Sequence, residues 1–357
     1  MQSFTRRHFF ATLIFTVLFS ISSITYAGDK PNIIIMATGG TIAGSAESNV
    51  QAGYSSGQVG VEVLINAVPE LKKLANITGE QISNIGSQNM NDGVWLKLAK
   101  RINKVIKQKN VDGVVITHGT DTMEETAYFL NLVIHCKKPV VLTGSMRPST
   151  ALSADGPLNI FNAVAVAADK EAWDRGVLVV ANDKILGARD ILKTSATDVE
   201  TFKASGFGFI GTVHYGVTRY YRKPFKKYTY QTEFNVDNVD KLPKVEIIYM
   251  YSSATGDLID DAVDNGAQAI VIAGVGNGNM TDAAVKSLAK AAKKGIICVR
   301  SSRVPTGFID RNVELNDDKL GFLASYQLSP QKSRVLLKVA LLKTKDPKII
   351  QNYFSIY

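Results

Sequence analysis

The chain has 357 residues, 45% of them hydrophobic and 20% charged, with a formal net charge of +9 at pH 7. That balance excludes a collagenous or disordered chain, and two cysteines, Cys136 and Cys298, cannot make a disulfide scaffold or a thiolate zinc site. At roughly 100–200 residues per domain the length favours two domains, each able to bury a core without staples.

Residues 1–27 read as a secretory signal peptide, because Arg6 and Arg7 precede an apolar run from Phe9 to Phe19 and the segment ends in Thr25-Tyr26-Ala27. The run is shorter than the ~20 residues a spanning helix needs, so cleavage after Ala27 and a mature form outside the membrane are expected. Paired arginines resemble a twin-arginine signal, while the strongly apolar stretch behind them suits the general secretory route. Without these residues the charge falls to +7. Lysine-rich stretches at 100–109 and 222–227 come with no nucleic-acid motif and read as solvated faces.

The mature chain opens on an apolar β-run at 32–37, and β-branched runs at 111–117, 139–142 and 177–180 read as further buried strands. Helical periodicity is clearest over 91–107, where Val94, Leu98, Ile102, Val105 and Ile106 share one face behind an Asn91 or Asp92 cap. Other helices are predicted at 59–69, 123–132 and 157–168. Strands alternating with helices make an α/β fold: a mostly parallel sheet, helices on both faces, and a site at the carboxyl ends of the strands. From 220 to 244 the pattern breaks into Tyr, Lys, Pro and polar residues. The expected organisation is therefore a larger N-terminal domain at 28–221, a linker at 222–243 and a smaller C-terminal α/β domain at 244–357. In the latter, strands at 245–250, 269–273 and 295–299 alternate with helices at 257–265 and 282–293, and an amphipathic helix at 330–342 closes it.

Two polar clusters fall at predicted strand ends. The first strand runs into Thr38-Gly39-Gly40-Thr41, whose glycines allow a sharp turn, expose backbone N–H groups and present the Thr41 hydroxyl. The strand at 111–117 runs into His118-Gly119-Thr120-Asp121-Thr122-Met123-Glu124-Glu125. Helix capping is the plain alternative, with Thr120 or Asp121 as N-cap and Glu124 or Glu125 as the returning acid. Capping explains one residue; it does not explain two threonine-bearing strand ends on one sheet. His118 reads as a hydrogen-bonded support.

With their flanks, these clusters resemble the bacterial type II L-asparaginases, an amidohydrolase family. Besides Thr38-Gly39-Gly40-Thr41-Ile42-Ala43-Gly44 and His118-Gly119-Thr120-Asp121-Thr122, the matching blocks are Asn84-Ile85-Gly86-Ser87-Gln88, Met146-Arg147-Pro148-Ser149, Ser153-Ala154-Asp155-Gly156, Gly274-Val275-Gly276-Asn277-Gly278-Asn279 and Ser301-Ser302-Arg303-Val304-Pro305-Thr306-Gly307. The resemblance spans essentially the whole mature chain. It implies Thr41 as nucleophile, Tyr54 as a mobile-loop tyrosine paired with Glu314, and a second Thr-Asp-Lys group of Thr120, Asp121 and Lys193. It also implies Ser87, Gln88, Asp121 and Ser145 in substrate binding, with Asn279 and Glu314 reaching a neighbouring subunit's site in a homotetramer of intimate dimers. It implies no cofactor or metal, and a periplasmic location.

The residue types suit amide hydrolysis, which needs a nucleophile, a proton path to the leaving ammonia, and oxyanion donors. Lys193 as a neutral base at pH 7 would cost roughly 4–5 kcal/mol beside Asp121, so it reads as a proton relay and electrostatic partner of Thr120. The expected activity is hydrolysis of L-asparagine to L-aspartate and ammonia. L-glutamine, one methylene longer, is separated by only ~1–3 kcal/mol in an apolar pocket, which makes a glutaminase-asparaginase the alternative. A periplasmic solute-binding protein, also two α/β lobes behind a signal peptide, is the distant one. Gly274-x-Gly276-x-x-Asn279 lacks the third glycine of a dinucleotide fingerprint, and no G-x-S-x-G elbow occurs. Well-studied family members have a disulfide whose one position matches Cys136, but 107–110 holds no partner, so both thiols are expected free. A polar stretch at 45–58 with glycines around Tyr54 reads as a lid.

Overall fold

The computed structural model describes residues 30–44, 57, 60–204 and 206–357. The predicted signal peptide, Tyr54 and nearly all of the predicted lid lie outside the described residues. Strand β1 (Asn32–Gly39) is the apolar run at the start of the mature chain, with its last five residues buried, and it pairs in parallel with both β2 (Asn76–Ile85) and β3 (Gly113–Thr117). Strands β4 (Val140–Thr143) and β5 (Val177–Ala181) continue the parallel sheet, and β6 (Lys184–Gly187) returns antiparallel. A separate antiparallel ribbon joins β7 (Ile191–Lys193) to β8 (Phe202–Ala204), after which β9 (Gly211–His214) and β10 (Val217–Tyr220) complete an eight-stranded sheet ordered β10-β9-β6-β5-β4-β3-β1-β2.

Every residue of β3, β4 and β5 is buried, because helices cover both faces of the sheet. Alternate side chains sort between two cores: Val115 and Val141 pack with the helix Gly156–Ala168, whereas Val114, Ile116 and Leu142 pack with the helices Asp92–Val105 and Met123–Val133. Asn91 caps the first of these by accepting the Val94 N–H at 3.1 Å, and Trp95 stacks on Phe129 at 5.0 Å.

A second sheet, all parallel, orders β11 (Val245–Tyr249), β12 (Ala269–Gly274), β13 (Ile297–Ser302) and β14 (Phe322–Ala324). Helices Asp257–Asp264 and Asp282–Lys293 cover one face. The other face, with Val271, Val299 and Leu323, shares a core with the helix Pro330–Ala340 and, through it, with the helix Met123–Val133. The two sheets are thus joined by one continuous apolar layer.

Three features depart from the periodicity. The edge strand β2 has a single fully buried residue, Ile82, so it carries no apolar run to read. The helix expected to end the chain is followed by another, Pro347–Ile356, started by Asp346 accepting the Lys348 N–H at 2.8 Å. Between β10 and β11 there is no strand, yet Tyr228, Phe234, Val236 and Leu242 are buried. Isolated anchors of this kind hold a segment in place without producing a period.

Because one core serves both sheets, unfolding should be a single transition. Leu336→Ala, at a fully buried position in that core, should lower stability by about 2–5 kcal/mol without splitting the urea-denaturation curve. Two separate transitions in the variant would show that the shared layer does not couple the sheets.

Candidate active site

Strand β1 lies between β2 and β3, so the winding reverses between β1 and β3, and their carboxyl ends flank the crevice where open α/β sheets place ligands. Thr41 follows β1 and Thr120 follows β3. The turn after β1 uses Gly39 and Gly40 at φ 110° and 84°, conformations that a side chain would strain. Space forbids one as well: a Cβ on Gly39 would fall 2.4 Å from the Ile85 carbonyl oxygen, on Gly40 2.3 Å from Gly119 N, and on Gly119 2.5 Å from Ser87 Oγ. The ends of β1, β2 and β3 are therefore in direct backbone contact, which brings Thr41, Ser87 and Thr120, all buried, to one place. Thr38 locks the pair of central strands by donating to the Thr117 carbonyl at 2.9 Å.

The expectation of exposed N–H groups at the two turn glycines needs correction at Gly40, whose N–H donates to Ile85 O at 2.9 Å and so is spent on shaping the turn. The next turn is closed by the Gly44 N–H on Thr41 O at 2.7 Å.

Strand β7 delivers Lys193 across from the second cluster. Its Nζ donates to Thr120 Oγ1 at 3.0 Å and to Asp121 Oδ1 at 2.6 Å. The Asp121 N–H in turn donates to Ser87 Oγ at 3.2 Å, and Thr122 Oγ1 donates to Ser87 O at 2.8 Å. Capping does not account for this cluster: the helix starts at Met123, its N-cap is Thr122, and no side chain makes a cap hydrogen bond. Glu124, read from the sequence only as a cap acid, is buried and accepts the backbone N–H of Lys193 at 2.9 Å, anchoring β7 to the helix.

His118 is a support. Its Nδ1–H donates to Gly119 O at 2.7 Å, which leaves Nε2 to accept from Thr126 Oγ1 at 2.9 Å, and Thr126 accepts from Trp95 Nε1–H at 2.8 Å. Complete burial pushes its pKa down to about 4, so the ring is neutral near pH 7 and holds one tautomer. Trp95 and Thr126, which periodicity assigns to helix faces, thus fix the Gly119 carbonyl next to Thr120.

Among the other predicted site residues, Ser145 lies near Ile42, as both line the space beside Gly156. Ser145 is buried and donates to the Arg147 carbonyl at 2.8 Å, while Asp155 accepts the Met146 and Arg147 N–H groups at 3.0 Å each. Gln88 is exposed and its side chain folds back over Gly86. Asn279 and Glu314 form a pair of their own, with Asn279 Nδ2 donating to Glu314 Oε2 at 2.7 Å. Among the described residues no hydrogen bond links that pair to Thr120, Asp121 or Lys193. Both thiols are free: burial pushes Cys136 up to about 11 and Cys298 up to about 12.

Residues 32–226 match the family model described as asparaginase, N-terminal, and residues 244–354 match that of the glutaminase/asparaginase C-terminal domain. A probable periplasmic L-asparaginase of Haemophilus influenzae is 58% identical over 333 residues, covering 93% of this chain and 95% of that protein. L-asparaginase 2 of Escherichia coli is 55% identical, covering 92% and 93%. The crystal structure of a probable cytoplasmic L-asparaginase from Campylobacter jejuni superposes with a TM-score of 0.90 at 49% identity, covering 92% of this chain and all of that one. The chain belongs to the asparaginase family of amidohydrolases.

The glycine contacts make a direct prediction. A methyl group in Gly119→Ala must displace Ser87 Oγ, and a misplacement of that size should lower kcat/KM by about 100-fold with the far-ultraviolet circular dichroism unchanged. Full activity in the variant would show that the approach of the β2 and β3 ends is not needed for the site.

Proposed function

We propose that this member of the asparaginase family is an exported L-asparaginase that converts L-asparagine and water to L-aspartate and ammonia with Thr41 as nucleophile. The observation that carries the reading is the meeting of two strand ends at which two threonine hydroxyls are buried, one of them hydrogen-bonded to a lysine–aspartate pair. Thr41 Oγ bonds to the side-chain amide carbon as its proton passes toward the amide nitrogen. The C–N bond breaks, ammonia leaves, and a water molecule then cleaves the ester to restore Thr41 and release L-aspartate. Lys193 holds a proton at Thr120 Oγ1 and keeps that hydroxyl oriented for the water step.

In this reading Ser87, Gln88 and Asp121 bind the α-carboxylate and α-amino groups, Ser145 lies toward the leaving amide, and Tyr54 with Glu314 serves Thr41. Export rests on Arg6, Arg7, the apolar run from Phe9 to Phe19 and the Thr25-Tyr26-Ala27 end of the segment. Catalysis is assigned to 28–221, with 244–357 supplying Asn279 and Glu314 to a neighbouring subunit of a homotetramer. Use of L-glutamine at a lower rate is expected, in keeping with the small energetic weight of one methylene.

Ammonia release from L-asparagine separates an enzyme from a solute-binding protein, which would bind without turnover. Thr41→Ala and Thr120→Val should each lower kcat by about 100-fold or more, whereas Ser87→Ala should chiefly raise KM. Near-normal kcat in Thr41→Ala would remove the nucleophile assignment, and a kcat/KM for glutamine at or above that for asparagine would replace the substrate assignment.

Sharing of the site between subunits has its own test. Co-refolding inactive Thr41→Ala chains with inactive Glu314→Ala chains should restore activity, since a mixed dimer assembles one site with both lesions and one with neither. No recovery in a mixture shown to contain hetero-dimers would place Glu314 in its own subunit's site.

A further inference from the structure

We propose that Arg300 is the positioning residue for the Asn279–Glu314 pair, an inference that rests on the placement of that pair at the catalytic site. Arg300 lies in β13, a strand buried at all six residues, and is itself 1% exposed. A guanidinium is tolerated there only when its donors are answered. Two of them form a fork on Asp317, with Nε to Oδ1 and Nη2 to Oδ2 both at 2.7 Å. The others reach outward to two loops: Nη1 donates to Asn277 O and Nη2 to Asp310 O, each at 2.9 Å.

Those two loops are the ones that carry the pair. Asn277 lies inside a turn closed by mutual backbone hydrogen bonds between Val275 and Asn279, so holding the Asn277 carbonyl sets the direction from which Asn279 leaves the turn. Asp310 precedes Glu314 by four residues, and that stretch is held again where Asp317 Oδ2 accepts the Asn312 N–H at 2.9 Å and Asn277 Oδ1 accepts the Asp310 N–H at 3.2 Å. Glu314 is exposed and makes its side-chain bond to Asn279 only at 2.7 Å across the gap between the loops. The guanidinium, together with the direct Asn277–Asp310 bond, therefore sets the separation of the loops, and with it the reach of both side chains. A lysine keeps the charge but has no planar fork, and cannot hold Asp317 and both carbonyls in the same geometry.

The test uses the full enzyme and steady-state kinetics with L-asparagine for Arg300→Lys, Asn279→Ala and the double variant. Arg300→Lys should raise KM by about tenfold or more with a smaller change in kcat. Adding Asn279→Ala should cost nothing further, because the arginine acts through the asparagine. Multiplying effects in the double variant, or a KM rise in Asn279→Ala that is absent from a folded Arg300→Lys, would overturn the positioning role alone. An unchanged KM in Asn279→Ala would overturn the placement of the pair at the site, and this inference with it. If Arg300→Lys does not fold, Asp317→Asn, which keeps the side-chain shape and loosens the fork, is held to the same KM rise and the same non-additivity.

Discussion

The carboxyl ends of β1 and β3 approach so closely that neither Gly40 nor Gly119 has room for a side chain, and the rest of the site depends on that contact. Strands in a parallel sheet ordinarily keep their loops apart by the side chains at the turn. Here backbone meets backbone, so the strand ends that carry Thr41 and Thr120 are brought together although nearly eighty residues of chain separate them. Ser87 is pressed against the same contact from β2, and the Thr38 hydroxyl ties the two central strands together just beneath it. The site is held by strand ends packed against one another, and placement on a rigid scaffold is what precise positioning of reacting groups requires.

Two ion pairs of the chain differ in what they do for the fold. Lys193 and Asp121 meet at 2.6 Å with side chains 17% and 56% exposed, so solvent screens much of their attraction and the pair adds little stability. Its value is directional, since it aims the ammonium at Thr120 Oγ1. Arg300 and Asp317 are 2% and 0% exposed. Their desolvation is offset only because each partner also answers backbone groups of the loops above, so this pair is coupled to local structure in a way the first is not. One pair fixes the Lys193 ammonium at Thr120 Oγ1; the other ties together two loops of the C-terminal half.

Much of the architecture was legible from residue pattern alone. The β-branched runs that became β3, β4 and β5 are buried on both faces and read clearly for that reason, and the Asn91 cap and amphipathic helix behind it were marked by residue type and spacing. The edge strand β2 was not legible, because solvent takes the place of core along nearly its whole length. Arg300 left a weaker trace: a charge directly after an apolar run looks like the end of a strand, whereas here it lies within one. Glu124 was visible only as one of two acids that capping could use, and its place as the anchor of β7 was not, since a cap acid and a strand anchor look the same at that spacing.

The sequence by itself determined the chemical types at the site, the two threonine-bearing strand ends, and the alternation that makes a parallel sheet, because each is a local property of residue type and period. It also carried enough ordered motifs to identify the family. Only the tertiary structure decided which amides were already spent in the glycine turn, which side chains hold Thr120 and Lys193, and that one guanidinium spans the Asn279 and Glu314 loops. Those are contacts between segments far apart in the chain. Hydrogen-bond partners at long separation are chosen by the packing of the sheet as a whole, and a buried donor gives no sign in its neighbours' identities of which carbonyl will answer it.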